Sequence, residues 1–512
     1  MWGNHVGVRL DTQLPLRPAS LRPFDTEPDL IPEPDGRMSE RKHAICNAAE
    51  ALAGDLGKWR QRNRYFFEED SRYLQFLIRP GETVLDLGCG NGDRLASLWP
   101  SIGVGVDFSP AMVELARQRH AHLAFVCGDV ENAGTIRSLG PRPFSVILMS
   151  DTIGSLEDIQ RSFELLHELC SPETRLVVSY YSPLWEPIIR AAERLKLKMP
   201  TPAQNWLSTT DMAAIFALAD FEEIKREWRM ILPKRLAGLG SLINRFIGTL
   251  PGVRRLSVRN YLVLRSLRKR PTPQPSLSVI VPCRNEHGNI EPLVRRLPAI
   301  APWQETIFIE GHSRDGTLEE IHRVMAAYPH LRIKVAVQEG KGKGDAVRKG
   351  FDMAEGDLLM ILDADLTVPP EDLIKYYDVL ATGKCEFVNG TRLVYPMEEG
   401  AMRFLNLVAN RFFAMLFTYL LNQRFTDTLC GTKALSHANY RQLVTGRSYF
   451  GDFDPFGDFD LIFGASKLNL KALEVPIRYM ARSYGETQIS RFRHGLLLLR
   501  MVIFAWWKLK AI

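Results

Sequence analysis

The chain has 512 residues, 46% of them hydrophobic and 24% charged, which is the balance of an ordinary globular protein. That excludes a collagenous, mostly disordered or disulfide-stapled chain, and at roughly 100–200 residues per domain it predicts about two to four folding units. The net charge of +6 is too small to argue for a nucleic-acid partner. Seven cysteines without a CxxC pair fit free thiols in a reducing, cytoplasmic setting.

Residues 1–37 are proline-rich and lack apolar periodicity, so a disordered leader is expected, with Met38 as an alternative start. A first α/β domain is predicted over 38–264. It opens with helical patterning over 38–78 and a strand from Thr83, after which short apolar runs (VLDLG, VGVD, LAFVCGD, FSVILMSD, RLVVSYY) alternate with helical stretches. Residues 265–275 read as a basic, proline-rich linker. A second α/β domain follows over 276–490, and residues 491–512 read as an amphipathic helix.

In the first half, Val84–Leu87 run into Gly88-Cys89-Gly90-Asn91-Gly92, an apolar strand ending in a glycine turn. Such a turn lets a ligand press against backbone at the carboxyl end of a strand, where open α/β sheets bind nucleotides. Asp107 ends the next strand, where an acid can hold ribose hydroxyls. Asp129 ends the third and Asp151 the fourth. This series resembles the class I S-adenosylmethionine-dependent methyltransferases over about residues 60–265. The resemblance implies a Rossmann-like fold with Asp86, Gly88, Gly90 and Gly92 around the methionine moiety. It also implies Asp107 on the ribose, Asp129 and Val130 flanking the adenine, and Asp151 at the same edge. Tyr180, Tyr181 and Trp185 either line an acceptor pocket or pack the core.

In the second half, LSVIVPCRNE carries Pro282, Asn285 and Glu286 at a strand end, and ETIFIEGHSRDGT carries Glu310, Ser313 and Asp315 at another. Lys343 lies in GKGKGD, either as a solvated loop charge or at the site. Asp363-Ala364-Asp365 ends a further apolar strand, where two carboxylates can share Mg²⁺ or Mn²⁺ and neutralise a diphosphate. These segments resemble family 2 glycosyltransferases of GT-A fold over about residues 276–512, and within them the dolichyl- and polyprenyl-phosphate sugar synthases. The resemblance implies a nucleotide sugar held by the Pro282, Asn285, Glu286, Glu310, Ser313 and Asp315 turns, with Lys343 beside it. It implies a metal on Asp363 and Asp365, Arg392 on phosphate, and Arg482 closing over the diphosphate. The family's DDGS turn is here Glu310-Gly311-His312-Ser313, and CGTK after Asp427 stands where SGFR is usual.

A sugar-hydroxyl acceptor would need a general base, for which Asp458 and Asp460 are the candidates. A lipid phosphate needs none, being already anionic, and would instead call on Arg392, Arg403 and Arg411. Residues 402–421 and 495–512 are strongly apolar but interrupted by polar residues. They fit either helices lying at a membrane surface or core helices. The expectation is a bifunctional enzyme, peripheral on the inner membrane face: a single-sugar transferase to polyprenyl phosphate joined to a methyltransferase. The alternative is a glycosyltransferase with a soluble acceptor and a non-catalytic, methyltransferase-like binding module.

Overall fold

The computed structural model describes residues 39–140, 143–201, 204–268, 274–394, 404–449, 459–480, 484 and 491–512. The leader, Arg403, Asp458 and Arg482 lie outside these residues.

Three helices, Glu40–Ala53, Leu56–Arg62 and Arg64–Leu77, precede the first sheet. Its strands are β1 (Thr83–Leu87), β2 (Ile102–Asp107), β3 (Ala124–Cys127), β4 (Val146–Ser150), β5 (Arg175–Tyr181), β6 (Phe221–Arg229) and β7 (Arg259–Ser266), in the order β3-β2-β1-β4-β5-β7-β6. β1 to β5 are parallel, and all but the edge strand β3 are buried along almost their whole length, as a sheet covered on both faces must be. β7 runs antiparallel between β5 and β6.

The second sheet has β8 (Leu277–Cys283), β9 (Gln304–Glu310), β10 (Ile333–Val337), β11 (Leu358–Ile361), β12 (Phe387–Thr391), β13 (Lys433–Ser436) and β14 (Ala472–Pro476), in the order β10-β9-β8-β11-β13-β12-β14. β10, β9, β8 and β11 are parallel, and β13 reverses direction between β11 and β12. Both domains are therefore α/β with mainly parallel sheets, as the alternating pattern predicts.

The two halves meet over a buried face that neither shows in its sequence. On the edge strand β6, Lys225, Glu227 and Arg229 are buried at alternate positions and all turn into the other half. Lys225 Nζ donates to Ser466 O and Asn469 Oδ1, each at 2.8 Å. Glu227 pairs with Lys510, and Arg229 donates to the Lys510 and Leu509 carbonyls. Burial alone would raise the Glu227 carboxyl, but Lys510, Arg229 and Arg254 outweigh it and hold it at about 2.

The C-terminal helix Arg491–Leu509 has one buried and one exposed apolar side. Leu498, Met501, Ala505 and Leu509 are buried, while Leu496, Leu499, Ile503 and Trp507 form an exposed stripe at helical spacing. Among the described residues no helix is long and apolar enough to cross a membrane.

Two lysines at this interface make stability pH-dependent. Burial, reinforced by the charge of Lys467, lowers Lys225 to about 7, and burial with the charge of Arg79 lowers Lys467 to about 7. The unfolded chain keeps both protonated up to about 10.4. Unfolding therefore takes up protons above pH 7, and stability increases with pH there. The urea midpoint is expected to rise from neutrality to about pH 8, below the value near 8.5 at which unfolded thiols are half ionised. A flat or falling midpoint in wild type, or a rise undiminished in Lys225→Met, contradicts this account.

Two candidate active sites

The turn after β1 opens a cavity of about 500 Å³. Gly88, Gly90, Asp107, Asp129, Val130 and Asp151 all line it, six residues from four strand ends brought to one wall. Gly90 is left-handed, and a Cβ there would meet nothing within 4 Å, so the backbone stays open to a ligand. The Gly88 position tolerates no side chain, because its Cβ would fall 2.1 Å from Thr152 Oγ1. Asp107 accepts from Gly90 N at 2.8 Å and Ser109 N at 3.0 Å, each oxygen keeping a lone pair for a ligand hydroxyl.

Two of the expected cofactor residues do not line the cavity. Gly92 is a packing glycine whose Cβ would meet the Phe125 ring at 2.7 Å. Asp86 is fully buried behind the loop with both carboxylate oxygens unpartnered, and burial raises it to about 6. Of the three aromatics, Tyr180 belongs to the core, whereas Tyr181 and Trp185 line the cavity with Phe66, which stacks on Tyr181 at 5.8 Å.

Sequence reasoning missed the cations that hold these acids. Lys42, from the first helix, pairs with both Asp129 and Glu131, the latter at 3.0 Å. Arg259, with no exposed surface, pairs with Asp70 at 3.0 Å and with Asp151, and reaches Ser179 Oγ at 3.0 Å. Asp151 takes a left-handed backbone at φ 66°, a strained conformation held by that ion pair. Both partners lie too far along the chain for spacing to suggest them.

In the second half, the β8 and β9 turns interlock. Asn285 N donates to Ser313 Oγ at 2.9 Å, Arg314 N donates to Asn285 Oδ1 at 2.9 Å, and Glu286 N donates to Thr317 Oγ1 at 3.0 Å. Asn285 and His312 are left-handed, which Asn tolerates best after glycine. Burial would raise Asp315, yet hydrogen bonds from Thr317 and His287 hold it below the ordinary carboxylate value. Glu286 and Glu310 are buried, and Ser313 N donates to Glu310. Pro282 sits opposite Ile309 in the same strand pair.

Asp363 follows β11, with Lys343 Nζ 2.6 Å from its Oδ1. Lys343 thus lies against Asp363 rather than standing as a solvated loop charge. Burial would raise Asp363, but Lys343, Lys433 and Arg392 hold it down and charged. Asp365 Oδ1 accepts from Thr367 N at 3.1 Å and from Thr367 Oγ1 at 2.7 Å. The CGTK loop closes over this pair. A Cβ on Gly431 would lie 2.1 Å from Lys343 Nζ and 2.2 Å from Asp363 Oδ2. Only glycine lets the loop approach so closely.

Among the described residues no group of three or more His, Cys, Asp or Glu gathers at one point. The hard oxygens of Asp363 and Asp365 suit Mg²⁺ or Mn²⁺, whose shell would be completed by diphosphate and water oxygens.

Two expectations change here. Arg392 has its guanidinium fork taken by the buried Asp427, with Nε donating at 2.7 Å and Nη2 at 2.8 Å. Its Nε and one Nη2 hydrogen are thereby committed to Asp427, so any phosphate contact would fall to the remaining N–H groups. Asp460 faces a different cavity of about 770 Å³, between the halves, beside Arg447 at 3.7 Å. None of the residues lining that cavity belongs to the group around Asp363.

Comparison with known families agrees with this geometry. The family model "Methyltransferase domain" matches residues 58–226, and "Glycosyl transferase family 2" matches residues 278–441. The chain joins a methyltransferase domain to a family 2 glycosyltransferase domain. The glycosyltransferase half is 41% identical over 108 residues to the dolichol-phosphate mannosyltransferase of Saccharomyces cerevisiae, covering 20% of this chain and 40% of that protein. It is 32% identical over 117 residues to the undecaprenyl-phosphate 4-deoxy-4-formamido-L-arabinose transferase of Aeromonas hydrophila, covering 21% and 36%. The match thus spans well under half the length of these relatives. Among solved structures, a Thermotoga maritima SAM-dependent methyltransferase, a possible histamine N-methyltransferase, aligns with 43% of this chain and 99% of its own at 19% identity and TM-score 0.34. Glucosyl-3-phosphoglycerate synthase from Mycobacterium tuberculosis aligns with 46% of this chain and 80% of its own, at 19% identity and TM-score 0.34.

Proposed function

We propose that the glycosyltransferase half transfers one sugar from a nucleotide sugar to a polyprenyl phosphate, and that the methyltransferase half methylates a metabolite of the same pathway from S-adenosylmethionine. The observation that carries the first part is the cluster at the carboxyl ends of β8, β9 and β11. There the interlocked turns meet a charged Asp363, its partner Lys343 and the close-packed Gly431. The relatives named for dolichol phosphate and undecaprenyl phosphate support the choice of acceptor.

In this reading the lipid phosphate oxygen attacks the anomeric carbon as the bond to the nucleoside diphosphate breaks, inverting the configuration. The acceptor is already anionic, so no general base is needed. That agrees with Asp460 facing another cavity. A divalent cation on Asp363 and Asp365 would neutralise the departing diphosphate. The chain's own contribution is to hold Asp363 ionised, keep cationic Lys343 and Lys433 beside the leaving charge, and fix the base-binding turns. The enzyme would work as a peripheral protein on the cytoplasmic membrane face.

For the methyltransferase half, Gly88, Gly90, Asp107, Asp129 and Val130 supply a nucleoside-shaped wall. S-adenosylmethionine brings the electrophilic methyl group. Phe66, Tyr181 and Trp185 exclude water and orient the acceptor.

Sugar transfer to polyprenyl phosphate, followed with Mn²⁺ or Mg²⁺ present and absent, tests the proposal. Asp363→Ala and Asp365→Ala are each expected to lower turnover by at least about 10²-fold while calorimetric S-adenosylmethionine binding is unchanged. Turnover indifferent to the lipid would sink the acceptor assignment.

A further inference from the structure

The methyltransferase half carries an apolar surface that neither proposed reaction uses. Residues 233–256 leave the sheet after β6 and return at β7, wound into two short helices, Leu239–Leu242 and Ile243–Ile247. Leu236, Leu239, Leu242, Ile247, Leu250 and Leu256 in this stretch are all exposed, each by 45–57%. Isolated exposed leucines are ordinary, but six within 21 residues form a patch, and patches mark binding surfaces.

The charge on this patch has one sign. Lys234, Arg235, Arg245, Arg254 and Arg255 lie within it, and no Asp or Glu occurs anywhere between Glu227 and Glu286. Lys234, Arg235, Arg245 and Arg255 are exposed. The patch continues onto the outer stripe of the C-terminal helix. Phe246 packs edge-on against Trp507 at 5.6 Å, Arg245 lies over the same ring at 5.7 Å, and Arg245 Nε donates to Ala511 O at 2.7 Å. That helix from 491 to the terminus also contains no acidic residue.

We propose that residues 233–256 are a lipid-docking segment that, with the outer stripe of the C-terminal helix, seats the methyltransferase half on an anionic membrane surface. Interleaved leucines and cations with no acids complement anionic headgroups over an acyl layer.

The docking has a consequence for the methyl acceptor. Pro233 and Lys234 line the cofactor cavity, as do Ile188 and Leu197, both exposed. The mouth of the cavity thus opens beside the docking segment, and a molecule resident in the membrane reaches it without crossing water. The inference extends the lipid acceptor proposed above to the other half of the chain, but it rests on different residues.

The test is flotation of the full-length protein with vesicles of phosphatidylcholine containing about 30 mol% phosphatidylglycerol, alongside vesicles of phosphatidylcholine alone. Wild type is expected to partition onto the anionic vesicles and to be released as salt rises from about 0.1 to about 0.5 M. Leu239→Glu/Leu242→Glu is expected to reduce partition at least about tenfold with S-adenosylmethionine affinity unchanged. Arg235→Glu/Arg255→Glu, at two exposed side chains away from the Trp507 contact, is expected to do so on anionic vesicles alone. Wild-type partition by both variants overturns the proposal. So does a wild-type dimer that the leucine variant dissociates while neither protein floats. Flotation that persists when sugar transfer proves indifferent to polyprenyl phosphate upholds the docking segment and overturns only the acceptor assigned above.

Discussion

Gly431→Ala is expected to lower nucleotide-sugar turnover by about 10²-fold, the scale of a misplacement near 1 Å at a reacting centre. The methyl group would arrive 2.1 Å from Lys343 Nζ and 2.2 Å from Asp363 Oδ2, well inside contact distance. The Lys343 ammonium can swing aside, but doing so breaks its 2.6 Å ion pair and leaves Asp363 with less opposing charge. The carboxyl then rises towards the value that burial alone would set. The acid limb of the pH–rate profile should accordingly move upward in the variant, because Asp363 must be ionised to work and protonates sooner as pH falls. Steady-state turnover over the acid range measures both effects. Activity within about threefold of wild type, with an unmoved acid limb, would show that the CGTK loop does not close over the site in turnover.

Arg259→Leu is expected to destabilise the methyltransferase half by about 3–5 kcal/mol, the usual loss when one partner of a buried pair is removed. The Arg259 guanidinium has no exposed surface, and Asp70, which would be left behind, is also buried. Among the described residues Asp70 would keep the neutral Tyr261 hydroxyl as a donor. The charge on Asp70 and the strained backbone of Asp151 would both lose their counterweight. S-adenosylmethionine binding should weaken together with stability, since Asp151 lines the cavity beside the glycine turn. Urea unfolding followed through the first transition measures the stability change. A loss below about 1 kcal/mol would mean that Asp70 finds another partner or becomes neutral. Asp70→Asn/Arg259→Leu should recover part of the loss, because the uncompensated charge has gone.

The glycine turn shows where pattern reading stops. Gly88, Gly90 and Gly92 look equivalent in GxGxG, yet they serve three ends. One is forced by Thr152, one is open to the cavity, and one packs on Phe125. Which glycine faces the ligand depends on how β1 pairs with β2 and on what β3 places beneath the loop. Similarly, Arg392 is visible in VNGTRLV, but its partner Asp427 lies 35 residues on. The pairing, set by the fold, fixes which of its N–H groups remain to meet a ligand. Asp460 was a reasonable base by residue type, and the fold carries it to a cavity between the halves.

What the sequence by itself determined is the local and periodic part: two α/β halves, strands with their turn chemistry, and the glycine and DAD turns at strand ends. These are legible because strand burial, turn geometry and carboxylate chemistry are properties of a few neighbouring residues. The tertiary structure alone decided which distant charges meet. Lys42 clamps Asp129, Arg259 braces Asp151, and the alternating charges Lys225, Glu227 and Arg229 of β6 are buried against Asn469 and Lys510. The physical reason is that an ion pair carries no sequence period. Its energy depends on distance and burial, and both are set only when the sheets pack.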